Sequence, residues 1–188
     1  MNLFERVKNI LLTPKEEWAK IEPEAATVQG LYVGYIMILA AIGPVAMLIR
    51  SLGFSIVLGI VSYVIALAVA YLMALIVDVL APTFGGEKNF IQSLKLTAYS
   101  YTAAWIAGIF QILGTLAGLI GLLAAIYSFY TFYLGVPTMK KCPQDKAAGY
   151  TIVVVLCGIV LSVVLGGVLM SMLFGGAMMG MGAAGMFN

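Results

Sequence analysis

The stretch DVLAPTFGGEKNFIQSLKLTAYSY, residues Asp78–Tyr101, decides how the chain is organised. Asp78 lies at the end of a long apolar run, and Pro82 predicts that this helix ends one turn later. The Gly–Gly pair that follows predicts a turn. A short amphipathic segment comes next, and beyond Lys95 the chain is apolar again. We therefore expect two hydrophobic helices joined by a polar connection.

The composition predicts the solvent of these helices. The 188 residues are 63% hydrophobic and 10% charged, and the mean hydropathy is +1.08. A soluble domain carries about 25% charged residues, and about 30% of the surface of its unfolded chain stays in water after folding. We therefore predict an all-α integral membrane protein. The net charge of +2, with basic residues beside hydrophobic runs, argues against nucleic-acid binding.

The residue types exclude several kinds of catalytic or metal site. The chain has no histidine, which removes the usual general base and the commonest metal ligand. The aspartates are Asp78 and Asp145, and Asp145 lies in a predicted loop, so a di-aspartyl intramembrane protease is excluded. Cys142 and Cys157 are expected to be free thiols. We expect no enzyme, no cofactor and no metal site.

Five uncharged runs are long enough to cross a bilayer as helices. An amphipathic helix is predicted at 2–12, lying on the inner leaflet. The expected division is a cytosolic leader at 1–30, a membrane domain at 31–174 and a flexible Gly/Met-rich tail at 175–188. The predicted spans are 31–49, 54–77, 96–113, 115–136 and 151–174.

Basic residues predict the orientation, because cytoplasmic segments carry an excess of lysine and arginine. Five spans place the termini on opposite sides of the membrane. With the N-terminus inside, Arg50 is the basic residue left outside, and the inner segments hold Arg6, Lys8, Lys15, Lys20, Lys88, Lys95, Lys140, Lys141 and Lys146. We predict a cytosolic N-terminus and an outer C-terminus.

Asp78 is the main candidate for a functional or structural polar site. It shares a helix face with Tyr71 and Tyr63, and an acid within a membrane segment is costly. One interpretation is a proton or cation site. The other is a structural anchor near headgroup depth that pairs with Lys95 or Lys88.

Two further patterns accompany this candidate site. Tyrosines cluster near the inner ends of the third and fourth spans, where they line a ligand cleft or simply mark the membrane interface; they are Tyr99, Tyr101, Tyr127, Tyr130 and Tyr133. A small-residue patch predicts close helix packing; it consists of Gly114, Gly118 and Gly121.

The runs DVLAPTFGGEKNFIQSLKLTAYSYTAAW and YTFYLGVPTMKKCPQDKAAGYT, with the leader RVKNILLTPKEEWAKIEPE, resemble the bacterial branch of the Yip1 domain family. The resemblance covers residues 4–174. It implies five transmembrane helices, a cytosolic N-terminus and, for this branch, the bacterial cytoplasmic membrane. It implies no role for the family-like residues Asp78, Pro82, Lys95, Tyr133, Gly135, Pro137, Cys142 and Pro143.

Two functions remain open at this point. The first is a non-enzymatic membrane protein that organises lipids or partner proteins, or associates with itself, through a cytosolic face that includes the basic loop of Lys140, Lys141 and Lys146. The second is a small transporter, channel or lipid-moving protein that uses Asp78 and the inner tyrosines. A polar path across several spans favours the second, and an apolar bundle with polar groups confined to its inner rim favours the first.

Overall fold

The computed structural model describes residues 2–50 and 56–184, and for residues 168–170 and 172–184 it describes the backbone alone. These residues form helices, with no strand among them, so the predicted all-α class is confirmed. Short 3-10 segments lie at Ala81–Phe84 and Gly108–Leu113. The helices are α1 (Leu3–Leu12), α2 (Pro14–Ile21), α3 (Val28–Arg50, with a π-turn at Tyr32–Ile36), α4 (Ile56–Leu80), α5 (Phe90–Ser100), α6 (Thr102–Ala107), α7 (Leu116–Lys140) and α8 (Gln144–Ala184).

Four of the described helices, not five, are long and apolar enough to cross a membrane. They are α3, α4 with its 3-10 extension, α7, and α8 over Gln144–Gly167. Between 17% and 28% of the most apolar window of each helix is buried, so most of these apolar side chains face outward. Such surfaces require a lipid environment, and the chain is therefore an integral membrane protein.

The predicted third span is a broken helix, divided among α5, α6 and the 3-10 segment that follows them. At Tyr101 the backbone leaves α-helical geometry (φ −76°, ψ −4°), and the Thr102 hydroxyl donates to the Tyr99 carbonyl at 2.7 Å. Gly108 lies against Gly43 so closely that a Cβ on Gly108 would be 2.9 Å from the Gly43 Cα. The hydropathy of this segment reflects its apolar side chains. It does not show that the helix is interrupted at Tyr101 and becomes a 3-10 segment at Gly108.

The other spans extend beyond their predicted bounds. In α3 the helix starts at Val28, because the Thr27 hydroxyl caps it by accepting from the Gly30 amide at 3.0 Å. In α7 the helix continues past Pro137 to Lys140. Since α8 already begins about two turns before the predicted fifth span, the loop predicted at 137–150 shrinks to 141–143.

Parts of two predictions lie outside the described residues. Residues 51–55 include the start of the second predicted span, and residues 185–188 are the end of the predicted tail. The backbone of α8 is helical through Ala184, which includes most of the segment predicted to be a flexible tail.

The leader is packed into the bundle, which corrects the prediction of a separate helix on the membrane surface. Ile10, Trp18 and Ile21 are fully buried. The Trp18 indole Nε1 donates to the carbonyl of Thr131 in α7 at 3.0 Å. Phe4 is 72% exposed, so an apolar edge of α1 faces away from the bundle. The leader therefore contributes Ile10, Trp18 and Ile21 to the hydrophobic core and is not an independent unit.

The two ends of the bundle differ. We call the end formed by α1, α2 and the connections at 81–89 and 141–143 the leader end, where much of the buried core lies. The opposite end, called the Arg50 end, is formed by the end of α3 and the start of α7. There a Cβ on Gly114 would lie 3.6 Å from the Arg50 guanidinium, and large apolar side chains such as Leu116 and Leu119 are exposed.

Candidate functional site: a polar network at the leader end

Asp78 accepts three hydrogen bonds from two other parts of the chain. Its Oδ1 accepts from Lys140 Nζ at 2.9 Å, from the Asn89 amide at 2.8 Å and from Ser93 Oγ at 3.0 Å. The side chain is 17% exposed. A carboxylate held by several donors and a cation is a stable arrangement in a partly buried site. These contacts join the end of α4 to the start of α5 and the end of α7.

Lys140 completes the network from the opposite side. It is the last residue of α7, and its side chain is fully buried. Its ammonium donates to Asp78, to Ser93 Oγ at 2.7 Å and to the Asn89 carbonyl at 3.2 Å. These three acceptors match the three protons of the ammonium group. Lys140 is therefore a structural cation. The prediction that it belongs to an exposed basic loop is wrong.

Lys95 binds the leader instead of Asp78, so their predicted pairing is wrong. Its Nζ donates to the carbonyls of Ile21 at 2.9 Å and Glu22 at 3.3 Å, and to that of Glu24. The last carbonyls of a helix have no partner within the helix, and a cation is favourable at that terminus. Lys95, which is 2% exposed, thus fixes the end of α2 against α5.

The remaining predicted basic residues of this end are on the surface. Lys141 is exposed and forms a salt bridge to Glu22 at 2.7 Å. Lys146, in the first turn of α8, is exposed. Lys88, the other cation predicted to pair with the acid of α4, is also exposed, so that pairing is wrong as well. The leader end therefore presents exposed basic side chains around a buried network.

A second ion cluster closes the leader on itself. Arg6 is 5% exposed, and its guanidinium bonds Glu17 Oε1 at 2.7 Å and also Glu24. The guanidinium carbon lies 5.5 Å from the ring centroid of Tyr99, within the range of a cation–π contact. A charged side chain of an amphipathic helix is expected on its polar face, whereas Arg6 is buried. The signal for its burial was its position one turn before Ile10, on the same helix face.

The connection after α4 is shaped by its glycines and by Pro82. α4 ends at Leu80, and Pro82 follows within the 3-10 segment Ala81–Phe84, as predicted. Gly85 has φ +76°, a conformation that other residues rarely adopt. A Cβ on Gly86 would be 2.9 Å from the Lys140 carbonyl, and the next amide, of Glu87, donates to that carbonyl at 2.8 Å. The connection is thereby held against the end of α7.

Cys142 lies beneath this connection as a free thiol. It is 3% exposed, and its Sγ donates to the Phe84 carbonyl at 3.2 Å. Burial raises the pKa of the thiol, with a smaller opposing effect of Lys146. The thiolate, which is the reactive form, is therefore disfavoured.

Tyr99 is the aromatic centre of the leader end. It is 8% exposed, and its ring packs edge-on against Tyr35 at 4.6 Å and Trp18 at 6.3 Å between centroids. Trp18 in turn lies over Gly135, where a Cβ would be 2.6 Å from the indole. Gly135 is thus the position on α7 that admits the leader.

The other tyrosines do not join Tyr99 in a single cleft. Tyr71 is 41% exposed and packs on Phe90 at 5.2 Å between centroids. Tyr127 donates to a carbonyl of α1 and lies 5.9 Å from Tyr130, which is 52% exposed. Tyr133 is half-buried against the core. Their spread around the bundle resembles an interfacial belt more than a ligand site.

Gly118 and Gly121 of the predicted packing patch have no helix against them in the described part of the chain. A Cβ on Gly118 or Gly121 would meet no atom within 4 Å among the described residues. Gly114 has φ +65° and allows the turn into α7. Close packing occurs instead at Gly135 and where Gly43 faces the 3-10 segment Gly108–Leu113, so the prediction that Gly118 and Gly121 pack helices together is corrected.

Most of the chain, including most of these residues, matches a known protein family. The model of the Yip1 domain matches residues 8–165. This chain belongs to the Yip1 domain family. The matched range contains Asp78, Lys95, Gly135 and Lys140, whereas Arg6 precedes it. The family resemblance of the sequence is confirmed; no curated protein and no solved structure matches the chain significantly.

The chemistry available at the leader end is that of a structural network. Asp78 and Lys140 are paired with each other, and Lys95 and Arg6 are held by groups of the leader. Within residues 2–50 and 56–184, no group of three or more carboxylate and thiol residues is arranged to hold a metal ion. The arrangement positions helices and displays the exposed lysines around them.

Proposed function

We propose that this Yip1 domain protein is a non-enzymatic scaffold that organises lipids or partner proteins at the cytosolic face of a bacterial membrane. The observation that carries the proposal is the segregation of charge. The network residues Asp78, Lys95 and Lys140 lie at the leader end, and Arg50 lies at the other. A bundle whose polar groups fix its own helices is suited to presenting a surface rather than to moving a solute across the membrane.

The orientation follows from the same asymmetry. We infer that the leader end faces the cytosol, because nine of the ten basic residues belong to it or to the segments packed against it. We also infer that α5, α6 and Gly108–Leu113 together make a fifth crossing. This broken segment begins beside Asp78, whose carboxylate is 3.0 Å from Ser93 Oγ, and ends at Gly114 beside Arg50. Five crossings place the C-terminus outside.

The working surface is the set of exposed lysines around the network. Basic groups near a membrane attract anionic headgroups by about 1 kcal/mol each before screening. Lys88, Lys141 and Lys146 are exposed on the connections at 81–89 and 141–143 and the adjoining turn of α8. The two tryptophans of the chain, Trp18 and Trp105, report on nearby lipid through their fluorescence.

The test is the selectivity for anionic lipid in reconstituted vesicles. Quenching of tryptophan fluorescence by a brominated anionic lipid is compared with quenching by a brominated zwitterionic lipid. We expect the combined substitution Lys88→Gln, Lys141→Gln and Lys146→Gln to lower the selectivity several-fold, because it removes three charges from the proposed surface. Arg50→Gln is the matched control at the other end and should have a smaller effect.

Two outcomes count against the proposal. Selectivity that depends on Arg50 and not on the lysines places the working surface at the wrong end. Asp78-dependent movement of protons, ions or lipid, unaffected by the three lysine changes, supports the transporter instead. Asp78 is already held by Lys140, Ser93 and Asn89, which leaves it poorly suited to bind and release a transported ion.

A further inference from the structure

The apolar surface that faces lipid is longer on α4 than on α7. The large exposed apolar side chains of α4 run from Ile56 to Val79. At about 1.5 Å per residue they form a belt roughly 35 Å long, which is enough to cross a hydrocarbon core about 30 Å thick. On α7 such side chains run from Leu116 to Tyr130. That belt is roughly 21 Å long and is therefore too short to cross the same core.

The difference between the two belts arises at the leader end. Asp78, near the end of α4, and Lys140, at the end of α7, are joined at 2.9 Å, so the two helices reach the same level there. Val79 is 61% exposed, and the belt of α4 therefore extends to that level. The belt of α7 stops roughly 15 Å short of it, because no residue from Thr131 to Lys140 is exposed.

The leader covers the part of α7 that the belt leaves out. The hydroxyl of Tyr127 donates to the carbonyl of Leu11 at 2.6 Å, whereas Glu22, just after α2, pairs with Lys141, just after α7. α2 therefore runs along the second half of α7, and the ion cluster of the leader folds α1 back on α2. We call residues 12–16, where α1 meets α2, the hairpin tip. It is the part of the leader closest to the middle of the membrane.

The hairpin tip carries charge. Lys15 and Glu16, in the first turn of α2, are exposed, and so is Lys8 on α1. Charged side chains are costly in hydrocarbon and favour the headgroup region. Phe4 and Leu12 are exposed beside Lys8 on α1, a mixture that is typical of a helix at the membrane interface. On this side of the bundle the hydrocarbon therefore ends at the hairpin tip, well before the level of the buried network.

We propose that the bilayer is thinned beside the leader. On the α4 side the hydrocarbon extends to the level of the network, whereas on the α7 side it ends at the hairpin tip near Tyr130. The partner of this surface is lipid whose hydrocarbon layer is thinner by roughly 10 Å, since lipid adjusts to the apolar length that the helices present. The thinning comes from the position of the leader and not from the lysines of the connections, so it goes beyond the scaffold proposal.

A matched pair of cysteines tests whether the boundary differs between the two sides. Tyr130 lies as many residues before Lys140 as Ala68 lies before Asp78, and both positions are exposed. Tyr130→Cys and Ala68→Cys are introduced separately into the full chain, with both native cysteines replaced by alanine. Each variant is placed in dioleoyl-phosphatidylcholine nanodiscs and treated with a charged, water-soluble methanethiosulfonate. We expect Tyr130→Cys to react roughly 10-fold faster or more, because the thiolate forms in water and not in hydrocarbon. Leu123→Cys, two turns deeper on the exposed face of α7, should react as slowly as Ala68→Cys.

The charge of the hairpin tip is tested in the same assay. Lys15→Leu combined with Glu16→Leu should let hydrocarbon cover position 130 and slow the reaction of Tyr130→Cys roughly 10-fold. Lys20→Leu, which removes an exposed charge farther along α2, is the matched control and should leave the rate unchanged. Thermal unfolding checks that the tip variant is folded, and the comparison of positions 130, 68 and 123 does not depend on that variant.

Three results would overturn the proposal. Equal rates at positions 130 and 68 show that the boundary lies at one level around the bundle. Fast reaction of Leu123→Cys shows that water follows the whole face of α7, which is not a thinned bilayer. A rate at position 130 that the folded tip variant leaves unchanged shows that the leader does not set the boundary. The triple lysine substitution at positions 88, 141 and 146 should leave the contrast intact, so failure of the scaffold proposal and failure of the thinning proposal are distinguishable.

Discussion

Two glycines of α7 show how differently its two ends are used. At Gly135 the Trp18 indole and the Leu96 side chain pack so closely that a Cβ would be 2.6 Å from each. At Gly118, in the first turns of the same helix, a Cβ would meet no described atom within 4 Å. A small residue permits close approach, but a partner must be present to use it. The leader supplies that partner at one end, and within this chain nothing described supplies it at the other.

The largest expected effect comes from removing the leader's anchor. Trp18→Ala should lower the free energy of unfolding by about 3–5 kcal/mol, because it empties a fully buried site and removes the bond to the Thr131 carbonyl. Leu119→Ala, which truncates a side chain that is 65% exposed near the Arg50 end, is the control. Thermal unfolding in detergent measures both. If the two variants melt at similar temperatures, the leader end is not more tightly packed than the Arg50 end, and the prediction is wrong.

The next effect comes from the acid of the network. Asp78→Asn leaves the buried Lys140 ammonium without its carboxylate and should destabilise by about 3–5 kcal/mol, since breaking a buried ion pair exposes an uncompensated charge. Asp145→Asn changes an exposed residue in the first turn of α8 and should have little effect. Melting temperatures of the two variants test this expectation. A loss for Asp145→Asn as large as that for Asp78→Asn would contradict it.

A smaller effect tests the two glycines directly. Gly135→Ala should destabilise by about 1–3 kcal/mol, because the added methyl group overlaps the Trp18 ring and Leu96. Gly118→Ala should be neutral or stabilise by up to about 1 kcal/mol, because alanine favours a helix and the methyl group enters open space. If Gly118→Ala destabilises in detergent, that face of α7 has a partner, and the comparison must be revised.

The smallest effect is one of reactivity. Cys142 should react slowly with a maleimide at pH 7, because it is 3% exposed and burial raises the pKa of its thiol. The rate should rise with pH as the thiolate forms, and it should rise more sharply when the leader is released by Trp18→Ala. A cysteine introduced at the exposed position 146, in a chain carrying Cys142→Ala, provides the fast reference. If Cys142 of the unchanged protein reacts as fast as the reference cysteine at position 146, the Cys142 thiol is accessible and the prediction is wrong.

Part of the candidate site could be predicted from the sequence. Asp78 was identified because an acid beside a long apolar run is conspicuous, and Pro82 because proline ends helices. Its partner was not identified, because Lys140 lies 62 residues away and stands in a polar run that resembles a loop. Lys95 was predicted to pair with Asp78, but its acceptors are backbone carbonyls at and just after the end of α2, which have no sequence signature.

The sequence by itself determined the helical membrane class, the family and the concentration of basic residues in a few segments. These properties follow from composition and local order, which do not depend on which helices touch. Only the tertiary structure decided the break at Tyr101, the burial of Lys140 and the docking of Trp18 on a carbonyl 113 residues away. Those features depend on contacts between distant segments, because a buried charge or a close glycine is stable only when a particular partner fills its space.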